Sequence, residues 1–238
     1  MRAVVLRFAN ALRAWFAVIR DVLLPRGCAG CDKPDEVLCP SCVKLFGHAY
    51  PKALPGDDVR CYGCSWYQGS VRQAILNWKD HGDEECDRVF ASLLADLAVK
   101  VLAGQASYDR IHALVLVPAP SSFSSMHHRG RWQTLPLARS MVRYLRGYGF
   151  ASVMKPVLRL EGVRGKSVQT ADAQSRSRRI AGHVRVTEDL SGDDSLFIVV
   201  DDIVTTGATM GQCIAALRAA GARDAIGLAL ACTPNRSG

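Results

Sequence analysis

The chain has 238 residues, 49% of them hydrophobic and 22% charged, the proportions of a folded globular protein and not of a disordered or fibrous one. No apolar run is long enough to span a bilayer. The net charge of +8 is unevenly placed: from His127 to Arg185 thirteen Lys or Arg meet only Glu161 and Asp172, so that stretch carries +11 and the rest −3. Such a region suits a polyanion, either a small phosphate-rich ligand or a nucleic acid backbone; a solvated face is the alternative.

Residues 1–24 are apolar but broken by Arg2, Arg7, Arg13, Arg20 and Asp21, so they lack the uninterrupted core of a secretory signal. Val4, Phe8, Leu12, Trp15, Ile19 and Leu23 recur at helical spacing and predict an amphipathic helix. It is read as docked on the protein's own core, with a membrane-surface helix as the alternative. Pro25-Arg26-Gly27 ends it. Residues 25–50 hold Cys28-x2-Cys31 and Cys39-x2-Cys42, two pairs seven residues apart. Four thiolates close a tetrahedral site with no open position, the structural form of zinc, and a module this small needs metal to fold. Nine cysteines without an export signal place the protein in a reducing compartment, the cytoplasm, with disulfides the lesser alternative.

A Pro- and Gly-containing linker, residues 51–58, leads to an alternating pattern over 59–238. Strands are predicted over 59–67, 113–117, 184–186, 196–200 and 225–231, and helices over 71–79, 88–102, 135–147 and 210–220. Leu114 to Val117 and Leu196 to Val200 are near-continuous apolar runs, as expected of strands covered on both faces. The fold class is therefore α/β, a mostly parallel sheet flanked by helices, preceded by the amphipathic helix and the four-cysteine ribbon. Cys61-x2-Cys64 looks like half of a second metal site, but no second pair follows; buried thiols in a strand are the preferred reading.

The chemistry concentrates at two predicted strand ends. Asp201-Asp202 close the run 196–200, and ligands of open α/β sheets bind at carboxyl ends of strands. Thr205, Thr206, Gly207, Ala208 and Thr209 follow, before a helix. Small residues let backbone amides converge on an anion, hydroxyls add donors, and the helix start contributes its dipole. Carboxylates beside a phosphate cradle make sense if the ligand also offers hydroxyls or a divalent metal, as ribose 5-phosphate does. At the second end, Val117-Pro118 leads into Ala119, Pro120 and Ser121, with His127, His128, Arg129 and Arg131 beyond. Arginine forks match phosphate oxygens. Residues 164–180 are polar and without apolar periodicity, as in a lid or a disordered segment.

The stretch 198–209, IVVDDIVTTGAT, resembles the phosphoribosyl-diphosphate signature of type I phosphoribosyltransferases. Over nearly all of 24–231 the chain is similar to the ComF/GntX family, amidophosphoribosyltransferase-like proteins associated with DNA uptake competence. The resemblance rests on the four cysteines; Tyr67-Gln68-Gly69-Ser70-Val71-Arg72 with Lys79; Val117-Pro118-Ala119-Pro120; Arg129-Gly130; Gln169-Thr170; Arg176; and Asp201-Asp202. Trp132, Arg179 and His183 depart from that family's usual residues. The resemblance implies a type I phosphoribosyltransferase fold behind a zinc ribbon, with phosphoribosyl diphosphate and Mg²⁺ as ligands. Asp201 and Asp202 would hold the ribose hydroxyls, residues 205–209 the 5-phosphate, and Ala119, Pro120 and Ser121 the pyrophosphate. Arg129 and Lys79 would neutralise that pyrophosphate, and Gln169 and Arg176 would lie in the lid. The rival expectation is a phosphoribosyl-sensing module that binds single-stranded DNA or DNA-uptake proteins.

Overall fold

A computed structural model describes residues 27–55, 60–80, 85–105, 108, 111, 113–121, 130–160 and 184–234. The predicted amphipathic helix 1–24, the histidine–arginine segment through Arg129 and the predicted lid, with Gln169 and Arg176, lie outside them.

Among these residues, eight strands and five helices follow one another in the order α1 (Pro40–Lys44), β1 (Tyr50–Pro51), β2 (Cys61–Trp66), α2 (Gly69–Asp80), α3 (Cys86–Ala103), β3 (Ala113–Pro118), α4 (Thr134–Gly147), β4 (Ala151–Met154), β5 (Leu158–Leu160), β6 (Val184–Val186), β7 (Leu196–Val204), α5 (Ala208–Ala219) and β8 (Asp224–Cys232). Six strands form one sheet in the order β1-β2-β8-β7-β3-β4, parallel throughout except for β1 at its edge. β5 and β6 make a separate antiparallel ribbon.

Alternation along β7 builds two core layers. Ile198 and Val200 face the layer holding Trp78 of α2, Phe90, Leu94 and Leu97 of α3, and Leu137 and Met141 of α4. Phe197 and Val199 face Cys213, Ile214 and Leu217 of α5. All of these side chains are essentially inaccessible to water. Each buried large aliphatic or aromatic group contributes about 1.5–3 kcal/mol, so the central strands form the rigid base on which the polar ends rest.

The cysteine module is tied to this body and is not a separate bead. Phe46 packs on Phe90 at 5.6 Å, and Asn77 of α2 donates to the Ala29 carbonyl at 2.8 Å. Within the module, Cys28 N–H donates to Lys33 O and Ala29 N–H to Val37 O, folding two tight turns in which Asp32 and Asp35 take left-handed conformations.

The four helices predicted within 59–238 form, each within two residues of its expected limits, and the apolar runs become β3 and β7. One difference concerns the site. Asp201 and Asp202 were expected just beyond a strand ending at 200, yet β7 continues to Val204, with Asp201 opposite Ala229 and Val204 opposite Cys232. The other flank explains this. The ladder with β3 stops at Pro118 opposite Val200, and Ala119 N–H makes the last bond, to Val200 O at 2.9 Å. Past that point, among the described residues, β7 pairs with β8 only. A crevice opens there, and carboxylates are tolerated within a continuing strand.

Candidate functional site

The site forms where β7 outruns β3. Asp201 Oδ1 accepts the Asp202 N–H at 2.8 Å. Burial, followed by the charge of Asp202, pushes the Asp201 carboxyl from its ordinary 3.8 up to about 7, while that amide and Lys79 act in the opposite direction. Asp202 faces α2, where Lys79 in the last turn places Nζ 2.6 Å from Asp202 Oδ2, with both side chains under 15% exposed. Asp201, Asp202 and Lys79, distant in sequence, thus form one cluster.

The loop after β7 is built around Gly207. Its φ of +78° is left-handed, and a Cβ there would collide with the Leu54 side chain, so both conformation and space require glycine. The residue caps α5, whose first backbone bond runs from Gly211 N–H to Gly207 O at 2.8 Å. Thr205 and Thr206 are exposed, and Thr206 Oγ1 accepts the Ala208 N–H at 3.4 Å. Asp201 and residues 203–210 line a pocket of about 80 Å³. This couples a helix amino terminus, three threonines and a carboxylate around one concavity.

The second predicted loop leaves β3 beside Val200. Ala119 is buried, and its carbonyl accepts both Trp132 Nε1–H at 2.8 Å and Thr134 Oγ1–H at 2.9 Å. Trp132, the departure from the resembled family, therefore pins this loop, with the Arg159 guanidinium 6.0 Å from its ring. Arg131, grouped by sequence with the phosphate-binding arginines, instead forks onto Asp87 at 2.7 and 3.1 Å and lies 5.7 Å from the Trp78 ring. Trp78 Nε1–H donates to the same Asp87 at 2.6 Å. That network fixes the end of α2 that carries Lys79.

The four Sγ atoms of Cys28, Cys31, Cys39 and Cys42 lie within 4.8 Å of one another, and all nine cysteines are free. Cys39 N–H donates to Cys28 Sγ at 3.2 Å, the usual support of a thiolate ligand. The cluster fits a tetrahedral metal. Cys61 and Cys64 are buried in β2, and burial raises the Cys64 thiol, which donates to Leu93 O. Among the described residues they join no metal-ligating group.

Pattern reading did not single out Lys52, Leu54 and Thr233, which surround the phosphate loop. Lys52 and Leu54 sit in a stretch whose composition reads as linker, and Thr233 lies 24 positions beyond Thr209, the end of the motif. No local signal marks them.

Residues 133–238 match the family model described as the phosphoribosyl transferase domain. No curated protein matches the chain. Among solved structures, it is similar to a phosphoribosylpyrophosphate synthetase from Mycobacterium smegmatis, with 18% identity and a TM-score of 0.32 over 59% of this chain and 33% of the other. It is also similar to a hypoxanthine phosphoribosyltransferase from Trypanosoma cruzi in a ternary substrate complex, with 16% identity and a TM-score of 0.38 over 64% and 79%. The chain spans about a third of the synthetase's length. Sheet order, flanking helices and the domain match together define an α/β fold of the type I phosphoribosyltransferase kind, with a cysteine cluster in its amino-terminal part. Among the described residues, no helix is long and apolar enough to cross a membrane.

Proposed function

We propose that this protein binds phosphoribosyl diphosphate with Mg²⁺ and transfers the phosphoribosyl group to a nitrogen acceptor, releasing pyrophosphate. The observation that carries this reading is the carboxylate pair of β7 beside the Gly207 loop at the start of α5. Asp201 and Asp202 accept the ribose hydroxyls, and Thr205, Thr206, Gly207, Ala208 and Thr209 surround the 5-phosphate. The loop of Ala119, Pro120 and Ser121 receives the pyrophosphate with Arg129. Lys79, paired with Asp202 in the free chain, neutralises the same charge. Gln169 and Arg176 belong to a covering lid.

In the reaction the bond from the ribose anomeric carbon to the pyrophosphate oxygen breaks and a bond to the acceptor nitrogen forms. The bonding pair leaves with pyrophosphate, and the nitrogen gives up its proton. Mg²⁺, when bound, neutralises the diphosphate. The chain's own residues position the sugar and stabilise charge that develops on the leaving group. Asp201, with its raised affinity for protons, can hold one near neutral pH.

In this reading Cys28, Cys31, Cys39 and Cys42 hold structural Zn²⁺, and the chain divides into a helix (1–24), ribbon (25–50), linker (51–58) and phosphoribosyltransferase domain (59–238). The protein is a cytoplasmic member of the ComF/GntX family serving DNA uptake. Pyrophosphate release from phosphoribosyl diphosphate across a panel of purines, pyrimidines and small amines tests the transfer. Release with none of them contradicts it.

A second reading, a phosphoribosyl-sensing module that binds single-stranded DNA, is favoured by one feature. α4 carries no acidic residue, and its exposed Arg139 and Arg143 make no ion pair among the described residues. Retention of single-stranded DNA that falls steeply with salt, in protein that releases no pyrophosphate, supports it.

A further inference from the structure

Residues 52–55 fall in the predicted linker, yet they run along the phosphate loop and meet it at successive points. Lys52 N–H donates to Cys61 O at 2.8 Å, anchoring the segment to β2. Its Nζ donates to Thr233 O at 2.8 Å. Thr233 in turn donates its N–H to Val204 O and its Oγ1–H to Thr205 O, each at 3.0 Å. Leu54 fills the space above Gly207, and the Pro55 carbonyl lies 3.5 Å from where a Cβ on Gly211 would stand, in the first turn of α5.

Lys52 is only 6% exposed. Among the described residues the Thr233 carbonyl is its sole hydrogen-bond acceptor, and no carboxylate pairs with it. With one protein acceptor for three N–H groups, this ammonium keeps donors that a nearby anion would accept from. The concavity lined by Asp201 and residues 203–210 lies one hydrogen-bond step beyond Thr233.

We propose that Lys52 is a positioning residue of the phosphate loop. Through Thr233 it fixes the Thr205 carbonyl, and with it the direction of the amides that follow, while its charge favours a phosphate dianion in the cradle. Leu54 and Pro55 hold the far side of the same loop. The inference rests on the phosphoribosyl reading for the identity of the anion, but not for the brace itself.

Two measurements on the full chain separate the two. Calorimetry with ribose 5-phosphate compares wild type with Lys52→Met, Lys52→Arg and Thr233→Val, and hydrogen exchange follows the peptide over residues 203–211. Lys52→Met is expected to weaken ribose 5-phosphate on the order of tenfold, the effect of one charge removed near the anion. In the same variant the loop amides exchange faster. Lys52→Arg restores most of the affinity, which a simple packing role for the stem would not explain. Thr233→Val moves exchange and affinity in the same direction with the charge intact, so it carries the test if Lys52→Met fails to fold. Ribose 5-phosphate affinity and exchange both unchanged in Lys52→Met, or in Thr233→Val where the former does not fold, overturn the proposal. If wild type does not bind ribose 5-phosphate, the phosphoribosyl reading fails, and the exchange data alone decide whether the brace exists.

Discussion

Replacing Asp201 by Asn should stabilise the protein while removing its function, by an amount that depends on pH. In the folded chain burial and the neighbouring Asp202 charge raise the Asp201 carboxyl from 3.8 to about 7. Below pH 3.8 both folded and unfolded chains hold the proton, and nothing is lost. Between 3.8 and about 7 the unfolded chain has released a proton that the folded chain retains, so stability falls as pH rises. Above about 7 the folded state carries the full penalty of a buried charge. At about 1.4 kcal/mol for each tenfold change in proton affinity, that penalty reaches about 4 kcal/mol. Asn keeps an oxygen to accept the Asp202 N–H and has no charge to bury. The variant should therefore gain about 2 kcal/mol at pH 5 and about 4 kcal/mol at pH 8. Urea unfolding of both proteins at the two pH values reads this directly, as a midpoint shift on the order of 1–2 M at pH 8. Parallel pH profiles for wild type and variant would refute the reasoning, because they would mean that Asp201 does not titrate in the folded chain.

Gly207→Ala forces a side chain into a left-handed backbone and into Leu54; it should destabilise by roughly 1–3 kcal/mol, and ribose 5-phosphate affinity should fall with it, as calorimetry would show. Elemental analysis should find one zinc per chain, lost in Cys39→Ser but kept in the Cys61→Ser, Cys64→Ser double variant, since the latter thiols are buried in β2, Cys64 against α3 and Cys61 in the layer of α5. A second zinc that disappears with Cys61 and Cys64 would contradict that assignment.

What could be read from the sequence was local. The apolar runs 114–117 and 196–200 announced β3 and β7 because strands covered on both faces need no polar alternation. The loop motif was visible because glycine and hydroxyl residues at fixed spacing have few other uses. Asp201 and Asp202 hid the continuation of β7, since two carboxylates look like the end of an apolar run; only the early stop of β3 shows why they can remain in the strand. The short strands β1, β4 and β5 have too few residues to establish a period. Tertiary pairings left no trace in composition or spacing, and only the family resemblance put Lys79 at the same ligand as Asp202. Lys79 reaches Asp202 across more than a hundred residues, Arg131 turns from an expected ligand contact to Asp87, and Lys52 reaches Thr233 from the opposite end of the chain.

The central claim, that the β7 carboxylates and the Gly207 loop bind a phosphoribosyl group, is tested most directly by titrating phosphoribosyl diphosphate with Mg²⁺ into the full chain by calorimetry. Wild type should bind one equivalent per chain. The Asp201→Asn, Asp202→Asn double variant, shown by circular dichroism to be folded, should bind at least about a hundredfold more weakly, since two hydrogen bonds to charged groups at about 1.5–3 kcal/mol each are weakened. Equal affinity in a folded double variant, or no binding by wild type, would contradict the account.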